Sequence, residues 1–247
     1  VPAIHVDHMH PDALIAIAAS ENSERLTEEA FGGELGFLPW QRPGFDLGLK
    51  LGALAVANPR LVGVVLGGHG LFTWGDTAKS SYETTLRILD KASAWLAGRS
   101  RKPAFQGARF EPLPAARRAE IARTLMPAIR GRISAGEKKL GHFTDAPEVL
   151  EFVNSKQLDA LAPLGTSCPD HFLRTKIRPL VLPFDPAKAD VGALMASLDQ
   201  AIASYRDGYA AYYGRCKHAN SPAMRDPNAV IYLIPGVGML SFARDKA

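Results

Sequence analysis

Two histidines separated by one residue lie near the start of the chain, and a third lies in a glycine-rich stretch far downstream. His8 and His10 occur in Val6-Asp7-His8-Met9-His10-Pro11, and His69 occurs in Gly67-Gly68-His69-Gly70-Leu71. Successive side chains of an extended strand alternate between its two faces, so His8 and His10 point the same way and can approach one cation. A third imidazole would leave one coordination position open, as a catalytic metal requires. The spacing therefore predicts a metal site formed by His8, His10 and His69.

A structural role is the alternative, because a lone histidine on a strand is more often hydrogen-bonded to its surroundings than bound to a metal. Two imidazoles would be costly to bury on one apolar face, so the His-x-His spacing favours a shared ligand. The glycines on either side of His69 permit close approach of the backbone. Spacing alone leaves both interpretations open. His5 lies an odd number of residues from His8 and is predicted to face away.

The elements around the histidines have the pattern of an α/β protein. A helix is predicted to begin at Pro11-Asp12, with proline in its first turn and an acid near the positive end of its dipole. Residues 61–66 form a continuous apolar run, which predicts a buried strand ending just before His69. The three histidines are therefore expected at strand ends, where α/β proteins commonly place their chemistry. Two further helices are predicted. One runs from about Asp46 to Ala57, and the other is capped by Asp76 or Thr77 and runs to about Leu96.

The second half of the chain repeats this alternation after a break. Residues 99–118 are rich in Arg, Pro and Gly, which predicts a linker between a first domain at 1–98 and a second at 119–247. Alternating strands and helices predict a second α/β unit with a largely parallel sheet. The predicted elements are a helix from about Ala115 to Met126 stopped by Pro127, a strand-loop series around 148–153, a strand at 177–182, a helix from about Val191 to Tyr213, and a final strand at 229–234.

Composition excludes several classes of function. The 247 residues are 47% apolar with a formal charge of +4, which suits an ordinary globular core. No apolar run approaches a membrane span and no signal peptide opens the chain, and two cysteines suit a reducing compartment, so a soluble cytoplasmic protein is expected. One basic zone lacks interleaved aromatics and a known module, which favours a solvated linker over a nucleic-acid face. It comprises Arg99, Arg101, Lys102, Arg109, Arg117 and Arg118.

Two other motifs suggest chemistry more weakly. Cys168, Asp170 and His171 could supply a nucleophile and a base, but residues so close in one loop rarely adopt that geometry, so a structural or interface loop is favoured. Gly236-x-Gly238 follows a predicted strand like the opening of a dinucleotide turn, but Ser241 stands where the third glycine would be. No cofactor-binding residue is therefore predicted.

The residues around the histidines resemble the zinc-dependent class II aldolase/adducin-head family. The resemblance covers residues 1 to about 98 and depends on two strings, His8-Met9-His10-Pro11 before a small-residue helix and His69-Gly70-Leu71-Phe72-Thr73-Trp74-Gly75 before a long helix. It implies a class II aldolase-like α/β/α domain, truncated at its N-terminus and followed by a second α/β domain.

A narrower resemblance is to the rhamnulose-1-phosphate aldolase branch, in which a short-chain alcohol dehydrogenase follows the aldolase. It depends on the strings His5–Ala13 and Leu38-Pro39-Trp40, while residues 165–176 and 235–239 resemble the intervening region of that bifunctional enzyme. The chain is then expected to be an internal fragment, with residues 119–247 preceding a dehydrogenase domain. NAD would be required only where that domain is present.

The resemblance implies metal-dependent cleavage of rhamnulose 1-phosphate to dihydroxyacetone phosphate and lactaldehyde, in rhamnose catabolism. Breaking the bond between C3 and C4 leaves an enediolate, and Zn²⁺ or another divalent cation held by His8, His10 and His69 would stabilise its charge. The expected partner is a small sugar phosphate, with no nucleic acid or membrane. Homo-oligomerisation is also expected, because sites of this family lie near subunit contacts.

The proton of the C4 hydroxyl must also be removed, which requires a carboxylate or a metal-bound oxygen. The resemblance places the main acid/base glutamate and the phosphate loop before Val1, and it matches Glu34 to a second active-site glutamate of the rhamnulose-phosphate branch. Glu34 is therefore predicted to be catalytic, with a solvated loop acid as the alternative. The chain is expected to bind metal better than it catalyses.

Two other functions stay open. One is an NAD-dependent lactaldehyde or alcohol oxidoreductase in which the aldolase part is secondary, and NAD titration tests it. The other is a non-catalytic adducin-like scaffold. The presence of all three histidines argues against the scaffold, and elemental analysis for metal distinguishes it from an aldolase.

Overall fold

The computed structural model describes residues 1–100 and 102–246, and for Ala104 and Asp170 it describes the backbone alone. The chain packs as two compact units. Among the described residues, unit 1 comprises 1–100 with 167–170, and unit 2 comprises 102–166 with 171–246. No helix of the described residues is both long enough and apolar enough to cross a membrane.

Unit 1 contains a four-stranded mixed sheet. The strand order is β1-β4-β3-β2, with β2 parallel to β3 and the two other pairs antiparallel. The elements, in chain order, are β1 (His5–Met9), α1 (Asp12–Ala18), α2 (Ser23–Phe31), β2 (Leu35–Leu38), α3 (Phe45–Ala57), β3 (Gly63–Leu66), β4 (Gly70–Gly75) and α4 (Ala78–Ala97).

Helices cover both faces of this sheet. Alternate residues of β3 point to opposite sides, so Val65 packs in one core with α1, α2 and α4 while Val64 and Leu66 pack against α3. Ile88 of α4 is fully buried, and burial of one such side chain contributes about 1.5–3 kcal/mol. The Thr77 side chain caps α4 by accepting a hydrogen bond from the Ser80 backbone amide. The predicted α/β class and the strand preceding His69 are confirmed.

Unit 2 contains the remaining elements around a second four-stranded sheet of order β5-β8-β7-β6. They are α5 (Ala115–Ile133), β5 (Leu140–Thr144), α6 (Pro147–Val153), α7 (Leu158–Leu161), α8 (Pro169–Thr175), β6 (Leu180–Val181), α9 (Val191–Cys216), β7 (Ile231–Ile234) and β8 (Gly238–Ala243). The first residues of α8 are assigned to unit 1 and the others to unit 2.

The predicted largely parallel sheet in this half is wrong. Among the described strands of unit 2 only β6 and β7 run parallel, while β8 is antiparallel to both β5 and β7. A tight turn that includes Gly236 joins β7 directly to β8, because Ile234 pairs with Gly238. Gly236-x-Gly238 therefore belongs to a β-hairpin and does not lead from a strand into a helix. The final strand is β8, not residues 229–234.

One predicted helix end and one predicted element type also differ from the structure. Pro127 does not stop α5, which continues to Ile133 because apolar side chains four residues apart, such as Leu125 and Ile129, bury one continuous face. Residues 148–153 form helix α6 and not a strand, with Pro147 at its first position, where the missing N–H costs nothing.

The segment 99–118, predicted to be a linker, is tied to neighbouring structure where it is described. The amide of Arg109 donates to the Asn154 carbonyl, and that of Leu113 donates to the Gly236 carbonyl. Four of its basic side chains form ion pairs with acids: Arg99 with Glu29, Arg109 with Asp159, Arg117 with Glu120 and Arg118 with Asp145.

Candidate metal site

The sheet of unit 1 brings the three histidines to one end. In the antiparallel pair of β1 and β4, His8 lies opposite Phe72, so His10 lies just past β1, beside Gly70 at the start of β4. His69 is the last residue of the three-residue turn that joins β3 to β4, because Leu66 pairs with Gly70. Residues 61 apart in sequence thus meet through one hairpin and its neighbouring strand.

The imidazoles are close enough to share one cation. The ring centroids of His8 and His10 lie 4.7 Å apart, those of His8 and His69 5.0 Å, and those of His10 and His69 5.1 Å. One ligand nitrogen from each ring lies within 4.8 Å of the other two. The Nε2 atoms of His8 and His10 are 3.1 Å apart. Two imidazole nitrogens on a tetrahedral zinc lie about 3.3 Å apart, so the donor set fits a small divalent cation.

The ring of His8 is held in the orientation that a ligand requires. Its Nδ1 lies 2.9 Å from the Leu71 carbonyl oxygen. A carbonyl oxygen can only accept, so Nδ1 carries the proton and the lone pair of Nε2 is directed toward the other histidines. Phe72 stacks on the same ring at 4.1 Å and 10°. His69 is buried and His8 is exposed, so the cluster is open to solvent on one side.

Gly68 and Gly70 make the approach of the histidines possible. Gly68 has a φ of +64°, a left-handed conformation that turns the chain between β3 and β4. A Cβ at Gly70 would lie 2.5 Å from Cδ2 of His10 and 2.6 Å from the Met9 carbonyl oxygen. The glycines beside His69 thus have a steric role that the sequence indicated.

Hydrogen bonds that the sequence did not predict fix the strands beneath the site. Asp7 lies between His5 and His8 in β1. Its carboxylate accepts a hydrogen bond of 2.7 Å from the Ser81 hydroxyl of α4. The buried hydroxyls of Thr73 in β4 and Thr85 in α4 are 2.5 Å apart. These contacts tie β1 and β4 to α4. Each joins a strand to a residue of another element, which no local spacing reveals.

The structure does not bring Glu34 to the histidines. Glu34 directly precedes β2, and β3 runs parallel to β2, whereas His69 follows the opposite end of β3. The four residues of β2 span about 13 Å at a strand rise of roughly 3.3 Å per residue. The Glu34 carboxylate instead forms ion pairs with Arg87 and Lys91 of α4.

These two cations determine the charge state of Glu34. Burial alone would raise its pKa, but hydrogen bonds from Lys91 and Arg87, with their positive charges, together hold the pKa of that carboxyl below its ordinary value. A carboxylate so stabilised is a poor proton acceptor. Within one chain Glu34 is an ion-pair partner of α4 and lies away from the histidines, and its catalytic role stays a prediction.

A cavity of about 700 Å³ lies beside the turn that carries His69, and its lining residues do not include the three histidines. Gly67 and Gly68, directly before His69, form part of its wall, and the Trp40 ring lies 6.5 Å from the His69 ring. Polar residues between the end of α1 and the start of α2 also line it, together with aromatic side chains. The lining includes Ser20, Glu21, Asn22, Ser23, Glu24, Phe37 and Trp40. Trp40 belongs to the string Leu38-Pro39-Trp40, whose place beside a cavity no sequence pattern indicated.

The second candidate constellation does not form a catalytic pair. Cys168 is buried, His171 is exposed, and no hydrogen bond joins them among the described side chains, which do not include that of Asp170. Both Cys168 and Cys216 are free thiols.

Comparison with known proteins identifies both halves of the chain. Residues 2–96 match the family described as class II aldolase and adducin N-terminal domain, and residues 120–247 match aldolase class II, second domain. The chain is 35% identical over 248 residues to "Uncharacterized oxidoreductase YuxG" of Bacillus subtilis (strain 168), covering 100% of this chain and 36% of that protein. It therefore spans about a third of the length of this relative.

Solved structures with similarity to the chain match part of it. The N-terminal class II aldolase domain of a conserved protein from Thermoplasma acidophilum is 29% identical with a TM-score of 0.35, and the match covers 39% of this chain and 44% of that one. An aldolase II superfamily protein from Pseudomonas syringae is 22% identical with a TM-score of 0.31, over 38% of this chain and 39% of that one. The second-domain match alone covers more than half of the chain, and with the N-terminal match over the unit that bears the histidines it shows that the chain belongs to the class II aldolase family.

Proposed function

We propose that this chain supplies the metal site of a divalent-metal-dependent aldolase that cleaves a ketose 1-phosphate. The observation that supports this most strongly is the cluster of His8, His10 and His69 beside a cavity large enough for a phosphorylated sugar. Three neutral nitrogen donors with one side open are the ligand set of a catalytic zinc. A closed structural site would need a fourth protein ligand.

The reaction requires a cation that stabilises negative charge and side chains that hold this cation. Cleavage breaks the C3–C4 bond, leaves the electron pair on the half that bears the ketone, and removes the proton of the C4 hydroxyl, which becomes the aldehyde. When bound, Zn²⁺ or another divalent cation supplies Lewis acidity toward the negative charge that develops on oxygen. His8, His10 and His69 would hold it, and their neutrality leaves its positive charge undiminished.

The cavity residues would bind and orient the sugar. Ser20, Asn22 and Ser23 offer hydroxyl and amide groups that match a polyol, and the Trp40 ring offers an apolar face for its C–H groups. Glu21 and Glu24 also line the cavity, whereas Glu34 does not. We therefore expect the cavity side of the cluster to be the substrate side.

Rhamnulose 1-phosphate is the substrate we propose, with dihydroxyacetone phosphate and lactaldehyde as products. The support is the resemblance of His5–Ala13 and Leu38-Pro39-Trp40 to that branch of the family. We further propose a homo-oligomer, which light scattering on the purified protein tests.

An oxidoreductase is the second candidate, because the relative from Bacillus subtilis carries that description. In a bifunctional protein, NAD-dependent oxidation of an aldehyde or alcohol would accompany the aldolase reaction. Gly236-x-Gly238 offers no support for NAD binding by this chain, since it forms a hairpin turn between β7 and β8. Tight binding of NAD to residues 1–247 would favour the second candidate.

A metal-dependent cleavage assay tests the first candidate. Release of dihydroxyacetone phosphate from rhamnulose 1-phosphate should stop with a chelator, return with Zn²⁺, and be absent from the variant His8→Ala/His10→Ala. His5→Ala, on the same strand, should retain the release. The assay uses the full-length protein that contains this chain, and no release by that protein, or undiminished release in its double variant, would contradict the proposal.

A further inference from the structure

A second cavity, remote in sequence from the histidines, lies within unit 2. It has a volume of about 430 Å³ and lies between α8, the last turns of α9 and the segment that follows α9. Its wall combines aromatic rings with cations and contains no carboxylate among the described lining side chains. We call it the tyrosine pocket, defined by Lys176, Tyr209, Tyr212, Tyr213, Lys217 and Arg225.

Three tyrosines of α9 form the aromatic wall of the pocket. Tyr212 and Tyr213 lie three and four residues after Tyr209, so each of them neighbours Tyr209 on the helix surface. The rings of Tyr209 and Tyr212 lie 6.0 Å apart at 41°. The Tyr213 hydroxyl donates a hydrogen bond of 2.6 Å to the Pro222 carbonyl, which holds the segment after α9 against the helix.

Lys176 is held at the pocket by its backbone and its contacts. Its φ of +67° is a left-handed conformation that non-glycine residues adopt rarely and that often marks functional positions. Its ammonium donates a hydrogen bond of 2.5 Å to the Asp226 carbonyl oxygen and lies 4.6 Å from the centre of the Tyr209 ring. The side chain is thus fixed beside an aromatic face while its charge is only partly solvated.

The three cations of the pocket form no ion pair with a described carboxylate. The Asp226 carboxylate pairs with Lys139 at 3.1 Å, and no described carboxylate lies within 4.0 Å of Lys176, Lys217 or Arg225. Burial lowers the pKa of Lys176, and the charges of Lys139 and Arg225 lower it further against the opposing effect of Asp226. A bound anion would relieve this repulsion.

We propose that the tyrosine pocket binds a nucleoside phosphate, with its base against the tyrosine rings and its phosphate at Lys176, Lys217 and Arg225. The flat base uses the π faces of the aromatic wall, and the phosphate dianion matches the three cations, which have no ion-pair partner among the described carboxylates. The volume lies in the range of small-molecule sites. The proposal goes beyond the aldol reaction and does not depend on the histidine site.

Calorimetric titration of the full chain with AMP tests the proposal. EDTA is present throughout, so that no metal at the histidines can bind the phosphate. We expect one AMP per chain, bound at least about tenfold more tightly than adenosine, inorganic phosphate or glucose 6-phosphate, because each of these lacks one of the two recognised groups. Lys176→Met should weaken AMP binding about tenfold or more, as loss of a charged hydrogen bond does.

The matched control is Lys188→Met, which removes an exposed lysine of the same unit and should leave AMP binding unchanged. Arg225→Gln, at an exposed position, is a second variant for the case in which Lys176→Met fails to fold, which circular dichroism detects. Absence of AMP binding, equal binding of AMP and adenosine, equal binding of AMP and glucose 6-phosphate, or no weakening in either folded variant would each overturn the proposal.

Discussion

At the scale of the residue, Gly70 controls whether His10 can reach the other two histidines. Any side chain there would begin 2.5 Å from the His10 ring and 2.6 Å from the Met9 carbonyl oxygen, well inside van der Waals contact. Because the backbone atom belongs to β1, the clash cannot be relieved by a rotamer change alone. The end of β1 and the His10 ring would both have to move.

Gly70→Ala is therefore expected to damage the site more than the fold. We expect a loss of about 1–3 kcal/mol in the free energy of unfolding, typical of overpacking, and a tenfold or greater loss of zinc affinity, since His10 is displaced. Gly48→Ala is the matched control, because Gly48 lies inside α3 with open space around it, and helix propensity predicts a gain of about 0.5–1 kcal/mol. Urea unfolding and zinc titration measure both effects. Unchanged zinc affinity in Gly70→Ala would contradict this assignment.

Glu34 allows the stabilising and catalytic roles to be separated. Its folded-state pKa lies below the ordinary value of 4.5, so its contribution to stability is fully present above pH 4.5 and is lost as the pH falls through the folded-state pKa. Glu34→Gln should be less stable than the unmodified protein at pH 7, and the difference measured by urea unfolding should shrink as the pH falls through the folded-state pKa of Glu34. Zinc affinity at pH 7 should not change. A loss of zinc affinity would instead place this carboxylate at the metal.

The three histidines could be predicted because a strand alternates with period two and because glycines adjoin His69. The supports of the site could not, since they join residues far apart in the chain. The contact from His8 to Leu71 spans 63 residues and that from Ser81 to Asp7 spans 74. The ion pair of Glu34 with Lys91 spans 57 residues, which is why a solvated loop acid and a catalytic acid could not be distinguished from sequence.

At the scale of the element, α5 shows packing overriding a local signal. Pro127 lies in the interior of the helix, where it lacks an N–H and crowds the preceding turn. The buried face that includes Leu125 and Ile129 continues past it and offsets this cost. The helix therefore carries a local penalty that its core contacts outweigh.

Pro127→Ala should raise the free energy of unfolding by about 1–3 kcal/mol, since alanine restores the helix hydrogen bond at an exposed position. The greater freedom of the unfolded alanine chain keeps the gain below the full helix-propensity difference. Pro114→Ala is the control, because Pro114 precedes the helix with a φ of −52° that suits proline, and it should give no gain. Destabilisation by Pro127→Ala in chemical unfolding would show that the proline has a role beyond its helix position.

Element type was easier to predict than strand direction. Apolar runs at 61–66 and 229–234 identified β3 and β7 as buried strands, but a run of apolar residues is the same whether its partner is parallel or antiparallel. The short turn from β7 to β8 sets the antiparallel direction, and β8 itself was not predicted. The β-branched and aromatic residues of 148–153 also concealed a helix whose start is set by Pro147.

At the scale of the whole molecule, each unit has a buried core of its own. Leu198 of α9 is completely buried in the core of unit 2, and the histidines belong to unit 1. Leu198→Ala should lower the stability of unit 2 by about 2–5 kcal/mol through the cavity it leaves. Zinc affinity should be unchanged, as measured by titration at a temperature where the variant is folded. A parallel loss of zinc affinity would mean that the site depends on the core of unit 2.

The central claim is that His8, His10 and His69 together bind one divalent cation, and the zinc content of the purified chain tests it most directly. After equilibration with Zn²⁺ and removal of the excess, elemental analysis should find about one zinc per chain in the unmodified protein and in His5→Ala, whose side chain lies on the other face of β1. The variant His8→Ala/His10→Ala should contain almost none. Full zinc occupancy in that double variant, or an unmodified chain without zinc, would contradict the account.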